Sequence, residues 1–305
     1  MHDLPPELSE AEINKIREEF QTKTVRATSP EMEEILYKPF RVLDHGFVRV
    51  VDYMGTDASI VQAARVSYGA GTKKTSEDRG LINYLMRHQH TTPFEMCEIK
   101  LHIKMPIFVA RQWMRHRTAS MNEYSARYSV LSNEFYIPEA SQLATQSEIN
   151  KQGKSSEEFT PERTAEILEI LKQSGSDAYE KYSHMINDLS LARELARTIL
   201  PLSIYTETYW KIDLHNLLHF LRLRADIHAQ YEIRCYAEVI LEILKKWVPF
   251  TYEAFTNYKK DAVPVPKKCV ELLKRAVNGE KISEKDSGLS KGEWLEFTST
   301  FNLKD

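Results

Sequence analysis

Cys97-Glu98-Ile99-Lys100-Leu101-His102-Ile103-Lys104-Met105 alternates apolar and polar residues without a break. Successive side chains on an extended chain point to opposite faces, so this pattern specifies a β-strand with one buried face. Pro106 stops the alternation, and Phe108, Ala110 and Trp113 then predict a helix over 107–114. Upstream, the β-branched run Phe47-Val48-Arg49-Val50-Val51-Asp52-Tyr53 lies between Gly46 and Gly55 and is a second strand. Residues 205–212, aromatic and β-branched with a looser alternation, make a third.

Around these strands the periodicity is helical. Asp57 is placed to cap a helix through Ile60, Ala63, Ala64 and Ser67, and Leu81, Ile82, Leu85 and Met86 stripe the next. From Pro161 a helix runs through Ile167, Ile170 and Leu171, breaks at Ser174-Gly175-Ser176, and resumes through Tyr179, Tyr182, Met185 and Ile186. Helices are also expected over 191–200, closed by Pro201, over 214–221, and over 229–247 with Ile233, Ala237, Ile240 and Leu244 on one face. The fold class is therefore α/β in the mixed α+β sense: one mainly helical domain with a mixed sheet.

That domain is expected to span 42–258, with 139–160 as a polar surface insertion lacking apolar periodicity. Residues 1–41 form a helical extension. Ser9 with Glu12 is a capping box for a short helix whose Ile13, Ile16 and Phe20 share a face, and Ser29-Pro30 opens another. Residues 259–305 form a C-terminal extension, with Val263-Pro264-Val265-Pro266 as linker.

The chain has 305 residues, 42% hydrophobic and 28% charged, enough for a sizeable core. Its 41 basic and 44 acidic residues leave a net charge of −3, so no global field attracts nucleic acid. The N-terminus has no basic region leading into an apolar run, and no stretch has the apolar length of a membrane span. Cys97, Cys235 and Cys269 are far apart and form no CxxC pair, which fits a reducing, cytoplasmic setting.

Against this slightly acidic background, one stretch is locally basic: Arg115-His116-Arg117-Thr118-Ala119-Ser120-Met121-Asn122-Glu123-Tyr124-Ser125-Ala126-Arg127-Tyr128. Three guanidinium forks face a single carboxylate, Glu123, and a guanidinium matches phosphate or carboxylate oxygens two at a time. A solvated basic loop is the ordinary reading of a charge run. Here serine, asparagine and tyrosine interleave the arginines and add short-range hydrogen-bonding groups, which favours a site for one small anion. The stretch follows a strand and a helix and is expected to be mostly loop.

Rival chemistries are weaker. His88 and His90, and His215 and His219, have spacings a metal site can use, but Asn216 stands where a zinc helix would carry Glu, and no third ligand is identifiable. A hydrogen-bonding role is preferred for them. Each cysteine sits in a predicted strand, helix or tail without an adjacent base, so a thiol nucleophile is disfavoured. Gly69-Ala70-Gly71 lacks the lysine and spacing of a phosphate-cradling loop.

Arg115-His116-Arg117-x-x-Ser120-x-Asn122-Glu123-x-Ser125-x-Arg127 resembles the RHR signature of the flavin-dependent thymidylate synthases. Ala64-Arg65-Val66-Ser67, His90-x-Thr92-Pro93-Phe94-Glu95, Phe108-Val109-Ala110-Arg111-Gln112-Trp113, Ala196-Arg197-x-x-Leu200-Pro201 and Leu223-Arg224-Ala225-Asp226-x-His228-Ala229-Gln230-x-Glu232 resemble further segments of that family. The resemblance implies a homotetramer with sites between subunits. It implies methylation of dUMP to dTMP with 5,10-methylenetetrahydrofolate as one-carbon donor, FAD as redox carrier and NADPH as reductant; net charge, hydropathy and histidine spacing separately argue against a nucleic-acid partner, a membrane and a metal. By the same resemblance Arg224 activates the pyrimidine, with His90 a further candidate at the flavin. Gln112, Arg115, Glu123, Tyr124, Ser125, Ala126, Arg127 and Arg197 join Arg224 in holding dUMP. Ser67, Thr92, Glu95, Arg115, His116, Arg117, Thr118, Glu123, Asp213, Leu214, His215, His219 and His228 hold FAD. Asp213 and His219 stand where the family often carries Asn.

Overall fold

The computed structural model describes residues 9–66, 78–146 and 154–303. In chain order the elements of the first part are α1 (Glu10–Phe20), α2 (Pro30–Glu33), β1 (Pro39–Val42), β2 (Gly46–Met54), α3 (Asp57–Val66), α4 (Asp78–Arg87), α5 (Thr92–Glu95), β3 (Glu98–Pro106), α6 (Ile107–Trp113) and β4 (Ser120–Glu123). There follow β5 (Ala144–Gln146), β6 (Lys154–Glu158), α7 (Pro161–Asn187), α8 (Arg193–Ala196), β7 (Tyr205–Asp213), α9 (Leu214–Arg224), α10 (Tyr231–Trp247) and α11 (Pro249–Phe255). The chain divides by its internal contacts into one unit of residues Met1–Lys260 and another of Asp261–Asp305.

The alternating stretch is β3, at the centre of the sheet. Among the described residues the strand order is β1-β2-β3-β7-β4, with every pairing antiparallel. Ile99, Leu101, Ile103 and Met105 bury one face together with Val48 and Val50 of β2 and Trp210 and Ile212 of β7. On that face α6, α9 and α10 contribute Trp113, Phe220 and Tyr236. The Trp113 ring meets Trp210 edge-on at 5.2 Å and Phe220 at 4.5 Å, the spacing at which aromatic quadrupoles attract. The opposite face carries ion pairs, Lys100 with Asp52 at 3.7 Å and Lys211 with Glu98 at 3.0 Å, and a hydrogen bond between His102 Nε2 and Glu207 at 2.8 Å. Lys104, buried, pairs with Glu134 at 2.6 Å.

Several local expectations change. Asp57 begins α3, but its carboxylate caps a different helix, accepting from the Phe250 amide at 2.8 Å and from the Thr251 amide and hydroxyl at 3.0 and 2.7 Å. This satisfies the first donors of α11, which open at Pro249. No break occurs at 174–176, because α7 is continuous. Gly175 lies so close to the Phe135 ring that a Cβ there would be 3.0 Å from it, so the glycine serves packing rather than a turn. The helix expected over 191–200 shrinks to α8 and one 3-10 turn, Arg197–Ile199. Within 139–160 a small antiparallel pair, β5 with β6, is present. Phe20 is exposed and stacks on Tyr37 instead of joining Ile13 in the core. The loop 69–71 and Ser67 lie outside the described residues.

The N-terminal helices are tied to the same unit as the sheet. Arg17 Nη2 donates to the Glu33 carbonyl at 2.6 Å, and Ser29 Oγ to the Lys246 carbonyl at 2.8 Å. The second unit holds α12 (Lys267–Val277), α13 (Glu284–Ser287) and α14 (Lys291–Thr300) around Cys269, Leu272, Trp294 and Phe297. Lys259 and Lys260, expected in the tail, belong instead to a π-helical turn, Thr256–Lys260, that continues α11 in the first unit. Among the described residues no helix is long and apolar enough to cross a membrane.

Candidate functional site

Helix α6 ends at Trp113, whose indole is anchored in the core, and the chain turns there. The Arg115 amide donates to the Gln112 carbonyl and the His116 amide to the Trp113 carbonyl. This turn delivers the RHR residues beside the C-terminal end of α9, where Arg224 is the last residue. Arg224 Nε donates to His116 Nε2 at 3.0 Å and Nη2 to the Gln112 carbonyl at 3.4 Å. The Gln112 side-chain amide is in turn hydrogen-bonded to Gln230. Two segments distant in sequence, 112–116 and 224–230, thus meet at one guanidinium.

Electrostatics at this point are unusual for a protein surface. Burial, with Arg224 and His219 adding positive repulsion, pushes His116 down to about 4, so its imidazole is neutral at physiological pH. Burial and Arg115 likewise lower Arg224 from its ordinary value. Among the described residues no carboxylate forms an ion pair with Arg224. Its charge is held by a neutral ring and a carbonyl, and an anion is the missing complement.

A second cluster of arginines forms further along the stretch. Arg127 pairs with Glu194, Nε at 3.0 Å and Nη2 at 2.9 Å from the same oxygen. Arg193 Nη1 donates to the Tyr128 carbonyl at 2.7 Å, and Arg197 Nε to the Glu194 carbonyl at 3.3 Å. Arg197 and Arg127 are therefore neighbours through Glu194, a residue the sequence reading passed over although it lies three positions before Arg197. The Arg127 amide is fixed by Ser125 Oγ at 3.3 Å.

Part of the stretch read as loop is strand. β4 pairs with β7, the Tyr124 amide donates to the Glu207 carbonyl at 2.8 Å, and Glu123 accepts from the Thr206 hydroxyl at 2.9 Å. The Tyr124 amide is thereby committed to the sheet and is not a free phosphate donor. Ala126 is buried, while Arg115, Arg117 and Thr118 are exposed.

Three of the remaining expected residues meet at a cavity of about 230 Å3. His90, His215 and His219 line it with Leu85, Phe94 and Phe255. Gln89, at φ 59, lies in the left-handed region, which turns the chain between His88 and His90. The sequence reading missed Arg222 and Lys259, which add charge to a lining that contains no carboxylate. His219 belongs to both places, since its ring centroid is also 6.1 Å from that of His116. Thr92 and Glu95 are in α5, which packs against α9.

Three assignments acquire local structural roles. Asp213 is the N-cap of α9, accepting from the Asn216 amide at 2.9 Å and side chain at 2.7 Å. Leu214 is buried, with its amide donating to the Cys97 carbonyl at 2.8 Å. His228 is exposed and pairs with Asp226 at 2.8 Å. Cys97 is buried and pushed up to about 12 by that burial and by Asp57, far from a usable thiolate. Among the described residues no cluster of three His, Cys, Asp or Glu could hold a metal ion.

The family model described as thymidylate synthase complementing protein matches residues 49–250. The chain belongs to the flavin-dependent thymidylate synthase family. Rickettsia bellii has a flavin-dependent thymidylate synthase 57% identical over 286 residues, covering 90% of this chain and 97% of that protein. One from Wolbachia pipientis is 58% identical over 276 residues, covering 90% and 96%. Among solved structures, a UMP/dUMP methylase from Streptomyces cacaoi bound with 5-Br dUMP is 34% identical with a TM-score of 0.64, covering 72% of this chain and 99% of that one. The same methylase bound with 5-Br UMP also has a TM-score of 0.64. As a flavin-dependent thymidylate synthase family member, the chain is a methyltransferase enzyme, and the matched segment contains both arginine clusters.

Proposed function

We propose that this enzyme methylates dUMP reductively to dTMP, taking the one-carbon unit from 5,10-methylenetetrahydrofolate and reducing power from NADPH through FAD. The observation that carries this reading is the Arg224 guanidinium, partly buried, oriented by two acceptors and without a carboxylate partner among the described residues. Such a cation stabilises negative charge on a pyrimidine as N3 loses its proton, so electron density reaches C5 without a cysteine adduct. The buried, protonated Cys97 agrees with that route.

Gln112, Arg115, Glu123, Ser125, Ala126, Arg127 and Arg197 would hold the nucleotide, with Arg127 and Arg197 suited to its phosphate. For FAD the fit is favourable. Leu85, Met86, Phe94, Leu218 and Phe255 offer an apolar floor to a flat ring, and the acid-free lining with His90, His215, His219, Arg222 and Lys259 suits a phosphate-bearing group. Thr92, Glu95, Arg117 and Thr118, with Ser67, complete the proposed cofactor set. FAD, when bound, supplies the redox chemistry. Family membership supports a homotetramer with shared sites, as does α7, where only Gly175 and Tyr182 of 27 residues are buried and Ile170 and Leu171 face solvent. The three free cysteines are consistent with a cytoplasmic enzyme.

The test is tritium release from 5-3H-dUMP by the purified enzyme with FAD, methylenetetrahydrofolate and NADPH, alongside 5-3H-UMP. Flavin absorbance and dUMP-dependent release are expected. A colourless protein that stays inactive after FAD is added would refute the reading.

A further inference from the structure

We infer that His116 is a positioning residue for Arg224: its Nε2 accepts the Arg224 Nε–H and fixes the plane in which the guanidinium meets its ligand. The inference rests on the activity proposed above. A guanidinium on a long side chain can rotate about several bonds, and one hydrogen bond leaves it free to swing. Here two acceptors hold it, the Gln112 carbonyl in the last turn of α6 at 3.4 Å and His116 Nε2 in the turn that follows at 3.0 Å. Two bonds in one plane define that plane, and they leave the remaining N–H groups for the ligand.

Only the neutral imidazole can do this. Nε2 must carry a lone pair, so the ring proton sits on Nδ1, and a protonated ring would both lose the acceptor and repel the guanidinium. The environment enforces the neutral state. Phe220 packs edge-on against the ring at 4.9 Å, His219 lies at 6.1 Å, and Arg224 with Arg115 behind it makes the field positive. A carboxylate in place of His116 would hold the arginine more tightly, but it would neutralise the charge that an anionic pyrimidine requires. A neutral acceptor orients the cation while leaving its charge uncompensated.

The test compares His116→Phe, which keeps a ring against Phe220 but removes the acceptor, with His116→Gln, which restores a neutral acceptor. In the FAD-loaded enzyme, His116→Phe is expected to lower kcat for tritium release about 10- to 100-fold with KM for dUMP changed less than about 3-fold. His116→Gln should recover most of that loss. Combined with Arg224→Ala, His116→Phe should cost less than about 2-fold, because nothing remains to position. Wild-type kcat should show no step between about pH 5 and 8 assignable to His116. If His116→Phe loses flavin absorbance instead of kcat, or if its effect persists undiminished in the Arg224→Ala background, the inference is overturned. An inactive wild type would refute the proposed activity itself, a result distinct from either of these.

Discussion

Arg224 and Arg127 are both arginines of the family motifs, yet they are held in opposite ways. Arg224 is partly buried and rests on a neutral imidazole and a carbonyl. Arg127 is exposed and already paired with a carboxylate, Glu194. The first is an uncompensated charge waiting for an anion, and its orientation is prepaid by the fold. Under the proposed function the second would exchange one anionic partner for another on meeting a phosphate, in water that screens both. The contrast separates chemistry from binding: the preorganised cation is suited to charge that develops during reaction, and the solvated one to charge that the ligand brings with it.

Removing Arg224 should break this division most severely. Arg224→Ala is expected to lower dUMP-dependent tritium release by about 1,000-fold or more while flavin absorbance remains; a drop below about 10-fold would place the decisive charge elsewhere. Arg127→Ala should act on binding, raising KM for dUMP about 10- to 100-fold with kcat within about 3-fold, and steady-state kinetics across a dUMP series measures the split.

The pH dependence of folding sharpens the comparison further. His116 titrates near 4 in the folded chain and near 6.5 when unfolded, so the unfolded state takes up the extra proton between those values. The stability due to its neutral ring is full above about pH 6.5 and is lost as pH falls toward about 4. Melting curves between those limits should therefore fall more steeply for the wild type than for His116→Phe, and parallel curves would contradict a buried neutral ring. The smallest effect is expected at Glu194. Glu194→Gln should change stability by less than about 1 kcal/mol, as exposed pairs do, and should lower KM for dUMP slightly by removing the competitor of the phosphate. A large loss of dUMP affinity would show that Glu194 orients Arg127 rather than competing for it.

Much of the sheet was legible because strand information is local. The alternation over 97–105 matches β3 within one residue at each end, since each side chain's face depends only on its own parity. The RHR segment was legible as chemistry for the same reason, with its charge imbalance visible in fourteen consecutive residues. What each arginine touches was not. His116 and Arg224 are 108 positions apart, and Asp57 reaches a helix whose Phe250 lies 193 positions away. Such pairings are made by tertiary packing, and no window of a few residues contains them. Gly175 misled for a related reason, because the Phe135 ring that requires it belongs to another segment.

The pairing of β3 with β7 runs from Glu98 opposite Asp213 to Pro106 opposite Tyr205. On the ribosome, β1, β2 and β3 can pair once they and the helices between β2 and β3 have emerged, but the second edge of β3 then waits for a partner made much later. At about 5–20 residues per second that wait lasts about 5 to 20 seconds. During it the chain presents an unpaired edge and the apolar face of Ile99, Leu101 and Ile103 to its surroundings. The central strand of the finished sheet is thus also, for that interval, an open edge at which a nascent chain can pair with another.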